Sequence, residues 1–222
     1  FDTCLQGVID QQYALKDVTD VVLASEEVSW TNFWDYEEWF KKISDYNDEN
    51  GSLAGSSGND IGVNMASLFV ETAKELDESG GAGKDMTYSV VDTEYLDEVV
   101  AAVKIMNDSF ETLTAKEKQI IHEESKSTVI FSSERQMDLG AFANVIDNLN
   151  IKGIGSDIDN AAIAVKTAVS DAVISNYTNM SGNGGDATGI AINYNGGVAS
   201  DDYMNNFELA GLMNMETFFE VV

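Results

Sequence analysis

Phe1-Asp2-Thr3-Cys4-Leu5-Gln6-Gly7 opens the chain, and VTDVVLASEE, residues 18–27, follows one short amphipathic stretch later. These two segments together decide the fold. Leu5, Val8, Ile9 and Tyr13 recur at helical spacing, so a helix is expected directly after Cys4. Residues 18–24 are short, apolar and β-branched, as in a buried strand. A thiol between a strand end and a helix start would sit at the positive pole of the helix, which lowers its pKa and exposes the sulfur at a sheet edge. The other reading of Cys4 is a small apolar side chain packed in the interior.

Downstream of that strand comes a loop with Trp30 and Trp34, then an expected helix with Trp39 and Phe40. The aromatic group Trp30, Trp34, Tyr36, Trp39 and Phe40 reads equally as core or as the lining of a pocket. Residues 45–62 have the composition of a linker. Ile61, Met65, Leu68, Phe69 and Leu76 mark a further helix that stops at Gly80 and Gly81, and residues 86–92 read as a second strand. The order helix, strand, helix, helix, strand, with crossovers long enough for parallel pairing, points to an α/β sheet. Residues beyond 92 read as mostly helical, with helices at 95–110, 115–126, 138–149 and 157–173. Residues 187–194 read as a strand, after the glycine-rich SGNGGD, with Val173 and Ile174 as partner in a β-hairpin. The expected organisation is therefore a cysteine-bearing α/β part at 1–92 and a mostly helical C-terminal subdomain with a β-hairpin at 93–222.

Composition narrows the function. Among 222 residues, 39 are acidic and 12 basic, for a net charge of -27. Such a surface repels nucleic acid and anionic lipid and draws in cations. No run of eighteen apolar residues is present, so no membrane span is expected. One cysteine excludes a disulfide within the chain, and with no proline every turn falls to Gly, Asn, Asp and Ser. The acid-rich stretches 45–50 and 157–160 read as solvated loops: in an EF-hand counted from Asp45, Asn50 would replace the glycine and Ser56 the final glutamate. His122, the single histidine, has no second imidazole or thiol to complete a zinc site; no metal ligand is assigned.

FDTCL, the amphipathic stretch after it, VVLASEE and FWDYEEWF resemble the cysteine region of clostripain-like peptidases, which belong with caspases, gingipains and legumains. TYSVVDTEYLDEVVAAV, DLGAFANVIDNL and SDAVISN with ATGIAINY resemble later segments of that family in the same order. The resemblance implies a caspase-like α/β sheet and a cysteine endopeptidase with a Cys–His dyad that cleaves after Arg or Lys. It makes Cys4 the nucleophile and Asp2 the acid that binds the substrate's basic side chain, with Asp35 a second and Glu26 and Glu27 a third choice for that pocket. It departs at Thr3, at Gln6 and in the missing prolines, which leaves the shape of the specificity loop open. Calcium is associated with some members of the family, and a bacterial extracellular or cell-surface location follows from the same resemblance.

The catalytic histidine of such enzymes precedes the cysteine, whereas His122 follows it within the charged stretch KEKQIIHEES. The expectation is a chain whose base lies on a missing N-terminal His-bearing segment and which is inactive by itself. Its partners would be peptides or proteins with basic residues. The alternative, from another class, is an inactive acidic interaction module that keeps the peptidase scaffold.

Overall fold

Two helices, not one, separate the first two strands, and that number sets the direction of the sheet. In the computed structural model, which describes residues 4–30, 34–51, 58–81, 84–131, 136–149 and 156–193, β1 (Val21–Ala24) leads through α2 (Tyr36–Asn50) and α3 (Gly58–Glu78) into β2 (Thr87–Asp92). One crossover helix would return the chain for a parallel strand. A second helix brings it back to the end where β1 finishes, so β2 runs the other way, with Val21 opposite Asp92 and Ala24 opposite Ser89. The expected parallel pairing is thus replaced by an antiparallel one. β4 (Val173–Thr178) joins the other edge of β2, again antiparallel, giving the order β1-β2-β4.

β2 is buried on both faces and joins two cores. Tyr88 and Val90 pack with Phe69, Val70 and Ala73 of α3. Val91 packs on the opposite side, against α4 (Leu96–Glu111), α6 (Leu139–Asn148) and α7 (Ser156–Ala172). Leu96, Val99, Val103 and Met106 form one face of α4, and Ile158, Ala162, Val165 and Val169 one face of α7, each at the helical repeat read from the sequence. The result is an α/β fold with helices on both sides of a sheet. Strand pairing between β2 and β4 runs across residue 92 and ties the early and late parts of the chain together.

Local signals explain the helix ends. α3 stops where the glycines predict, with Gly80 at φ +80° and the Gly81 N–H returning to the Leu76 carbonyl at 2.9 Å. α5 (Ala115–Ser125) starts in a capping box between Thr114 and Glu117. Three expectations are corrected. Residues 45–50 are not a loop but the last turns of α2, which tolerates them because none of its side chains is buried. Residues 157–160 form the first turn of α7, where their acids suit the positive helix end. Val173 does not pair with the late strand: β7 (Ala191–Asn193) pairs instead with β3 (Gln136–Asp138). The hairpin lies within SGNGGD itself, between β5 (Ser181–Gly182) and β6 (Gly185–Asp186), where Gly184 adopts φ +97°.

Candidate active site

Thr87 is the residue on which the site is built. It starts β2 fully buried, and its Oγ1 accepts the N–H groups of Glu26 at 2.9 Å and Glu27 at 3.1 Å. This pins the chain just after β1 in an extended form whose carbonyls are free to pair. Leu5 N–H donates to the Glu27 carbonyl at 3.2 Å and Gly7 N–H to that of Ser25 at 2.8 Å. Residues 5–7 are thereby laid as a short arm along residues 25–27, and the Gly7 carbonyl accepts from Ala191 N–H at 2.8 Å on the other side. Glycine is needed at position 7, since a Cβ there would stand 2.7 Å from Glu26 Cγ and 2.9 Å from its backbone nitrogen. Leu5 sits at φ +57°, a left-handed conformation that costs a leucine roughly 1–2 kcal/mol and that neighbouring contacts must hold.

Cys4 stands exposed at the end of this arm. The helix expected directly after it begins only at Ile9 and ends at Tyr13, because residues 5–7 are used in pairing first. Cys4 therefore does not open the helix. Its sulfur instead donates to the Ser29 carbonyl at 3.6 Å. Ser29 is held in turn: its hydroxyl receives the Trp34 indole N–H at 2.7 Å and is hydrogen-bonded to the Tyr88 hydroxyl.

The residues flanking Ser29 line a cleft of about 300 Å³ formed by Glu27, Val28, Trp30, Lys84 and Asp85. Lys84 lies over the Trp30 ring, 3.8 Å from its centre. The Asp85 carboxylate lines this cleft, and the contact of Lys84 with Trp30 shows that the indole face accepts a cationic side chain. The aromatic group read as core or pocket divides between the two. Trp30 lines the cleft; Trp34 and Trp39 pack on Phe69, at ring separations of 4.5 and 5.3 Å. Tyr36 and Phe40 remain exposed.

Asp2 lies outside the described residues. Asp35 caps α2, its Oδ1 accepting the Glu38 N–H at 3.0 Å. Glu26 and Glu27 are buried beneath the arm rather than solvated: Glu27 closes on its own chain by accepting Val28 N–H at 2.6 Å, and Glu26 faces inward. His122 sits on α5 between Lys126 and Glu123, its pKa lowered first by burial and then by the lysine. Among the described residues the sulfur of Cys4 bonds to Ser29 and not to His122, and no cluster of three His, Cys, Asp or Glu side chains is placed to hold a metal ion. A second cavity, about 450 Å³, lies between α6, α7 and the β5–β6 hairpin, and its Lys166 bonds Asp147 at 2.8 Å and Asn144 at 2.6 Å. Sequence reasoning missed Asp138, Thr87 and Asp85. Only Asp138, an aspartate opening an apolar helical repeat, carried a local signal, that of an N-cap.

No curated protein matches the chain. Its sequence matches the Clostripain family over residues 1–214. The fold is similar to that of an inactive zymogen C11 protease from Parabacteroides distasonis, with a TM-score of 0.57 and 15% identity over 96% of this chain and 57% of that one. It is also similar to a clostripain from Bacteroides thetaiotaomicron crystallised with a peptide inhibitor, with a TM-score of 0.57 and 16% identity over 100% and 84% of the two chains. A secreted C11 cysteine protease from the same organism, bound to an irreversible peptide inhibitor, gives a TM-score of 0.60 and 16% identity over 98% and 58%. The chain thus spans little more than half the length of the first and third of these proteins.

Proposed function

Because this chain belongs to the Clostripain family of cysteine peptidases, we propose that it carries the nucleophile and the substrate cleft of an endopeptidase that cleaves after Arg or Lys. The observation that carries the reading is the exposed sulfur of Cys4, fixed by Ser29 at the rim of a cleft lined by Glu27, Asp85 and Trp30. The Cys4 thiolate attacks the carbonyl carbon of the scissile bond. The amine leaves with a proton from a histidine, and water then hydrolyses the thioester and restores the thiol. Asp2, two residues before the nucleophile, pairs with the guanidinium or ammonium of the substrate. Asp35 is given no part in that pocket, since its capping bond commits it to α2.

The base is not His122 in this reading, for α5 packs against α6 and the thiol bonds elsewhere. A histidine from polypeptide outside these 222 residues supplies it. An extracellular or cell-surface setting in a bacterium fits the secreted relative, and among the described residues no helix is long and apolar enough to cross a membrane.

The test is turnover of short arginyl and lysyl amides. The expected result is none with the isolated chain, and turnover once the His-bearing polypeptide encoded upstream is added, lost again in Cys4→Ala. Turnover that survives Cys4→Ala contradicts the assignment. Turnover by the isolated chain contradicts the external base. If alkylation of Cys4 proceeds no faster than that of a free thiol and no added polypeptide restores turnover, the chain is the inactive acidic module instead.

A further inference from the structure

Two acids meet where the arm, the end of β1 and the start of α6 converge. Glu26 is 1% exposed and Asp138 0%. Glu26 Cγ lies directly against the position a Cβ of Gly7 would take, so this side chain is the floor of the arm that presents Cys4. Asp138 is fully engaged. Its carboxylate accepts Ala141 N–H and Thr188 N–H, each at 2.6 Å, the Thr188 hydroxyl at 2.9 Å and Gly189 N–H at 3.3 Å.

Glu26 is different. Neither of its oxygens receives a well-formed bond from an N–H or O–H group. What faces it is the Asp138 carboxylate, with the Gly189 N–H and the Glu27 carboxylate nearby and no cationic side chain among the groups acting on either acid. Two ionised carboxylates in contact in a dry interior repel strongly, and the arrangement becomes stable when one of them keeps its proton.

We propose that Glu26 is held as the neutral acid and donates its O–H to Asp138, so that one shared proton fastens the Cys4 arm to the N-terminus of α6 and makes Glu26 a positioning residue for the thiol. Burial raises the pKa of Asp138, but four donor contacts oppose that shift and favour the charge there. Glu26 carries the proton because burial, and then Asp138, push it well above its ordinary value. Loss of the proton places two negative charges under an arm whose residues 5–7 are otherwise held by a few backbone bonds, and the register that fixes Cys4 on Ser29 is released. The positional role rests on Cys4 being the working thiol; the shared proton does not.

Urea unfolding and alkylation of Cys4 by iodoacetamide, each across a pH series, test this on the wild-type chain, Glu26→Gln and Asp138→Asn. The neutral Glu26 contributes fully to stability below 4.5, its ordinary value, and that contribution is lost as pH rises through the elevated folded value. The wild-type midpoint should therefore fall over that window, while Glu26→Gln, whose amide N–H still donates to Asp138, stays level. Wild-type alkylation should rise with pH more steeply than the about tenfold per unit set by thiol ionisation, and Glu26→Gln should remove the excess. Asp138→Asn, which removes the neighbouring charge but leaves Glu26 buried, should bring the fall in stability to a lower, narrower pH window without abolishing it. The proposal is overturned if both variants track the wild type at every pH, or if carbon-13 titration of the wild-type carboxyls shows Glu26 ionising in the ordinary glutamate range, a readout that holds even where a variant fails to fold. Iodoacetamide requires neither base nor pocket, so a missing peptidase activity beside an intact titration refutes the peptidase reading alone.

Discussion

At the scale of single residues, the position of Cys4 is a consequence of what surrounds residues 5–7. Gly7→Ala would drive a methyl into Glu26, whose backbone nitrogen at 2.9 Å cannot yield. The expected cost is about 1–3 kcal/mol in urea unfolding, with faster alkylation of Cys4 as the arm lifts; an unchanged midpoint would count against the packing described. Asp35 separates two roles cleanly. As an N-cap, Asp35→Ala should cost about 1 kcal/mol and leave the preference of Cys4 for basic over acidic electrophiles intact, whereas a lost preference would return Asp35 to the pocket. Cys4 was legible as a candidate nucleophile through its residue type and the motif around it, and the structure places it exposed at the end of the arm. Glu26 was legible only as an acid and a third choice for the pocket, and Asp138 only as an acid with the signal of an N-cap. Nothing local in ASEE tells which glutamate is sealed beneath another segment, for that depends on an arm folding back over it and on a helix start more than a hundred residues away.

At the scale of elements, the long amphipathic helices α3, α4, α6 and α7 could be read directly, since an apolar repeat of 3.6 residues sustained over several turns fits a helix and does not fit a strand. Strand direction could not. The order of elements permits either sense, and the decision lies in how α2 and α3 pack together before β2 begins. β4 escaped as a full strand because it follows α7 without a turn and mixes Ser175 and Asn176 among its apolar residues. Its junction with α3 is polar and testable: the Tyr177 hydroxyl donates to Asp77 at 2.7 Å and the Asn179 amide donates to the same carboxylate at 3.0 Å. Burial, and then Asp77, raise the Tyr177 phenol to about 12. That contribution is complete below the ordinary value of 10.0 and is lost as pH rises toward 12. Tyr177→Phe should cost about 1 kcal/mol at neutral pH and flatten the alkaline limb of the stability profile; an alkaline limb identical to wild type would contradict the linkage.

At the scale of the whole molecule, charge and fold act on different properties. A net charge of -27 raises the local concentration of cations near the cleft and is screened by salt. Labelling of Cys4 by a lysyl peptide electrophile should therefore slow as ionic strength rises, while labelling by neutral iodoacetamide should not; equal salt dependence would remove electrostatic attraction from the account. The most direct measurement is the site and selectivity of covalent capture: the chain is treated near neutral pH with matched electrophilic peptide ketones ending in Lys or in Asp, and the adduct is mapped by mass spectrometry. The account predicts a single adduct on Cys4 formed at least about tenfold faster with the lysyl reagent, the ratio that about 1.4 kcal/mol of recognition produces. Equal rates for the two reagents, or adducts on residues other than Cys4, would contradict it.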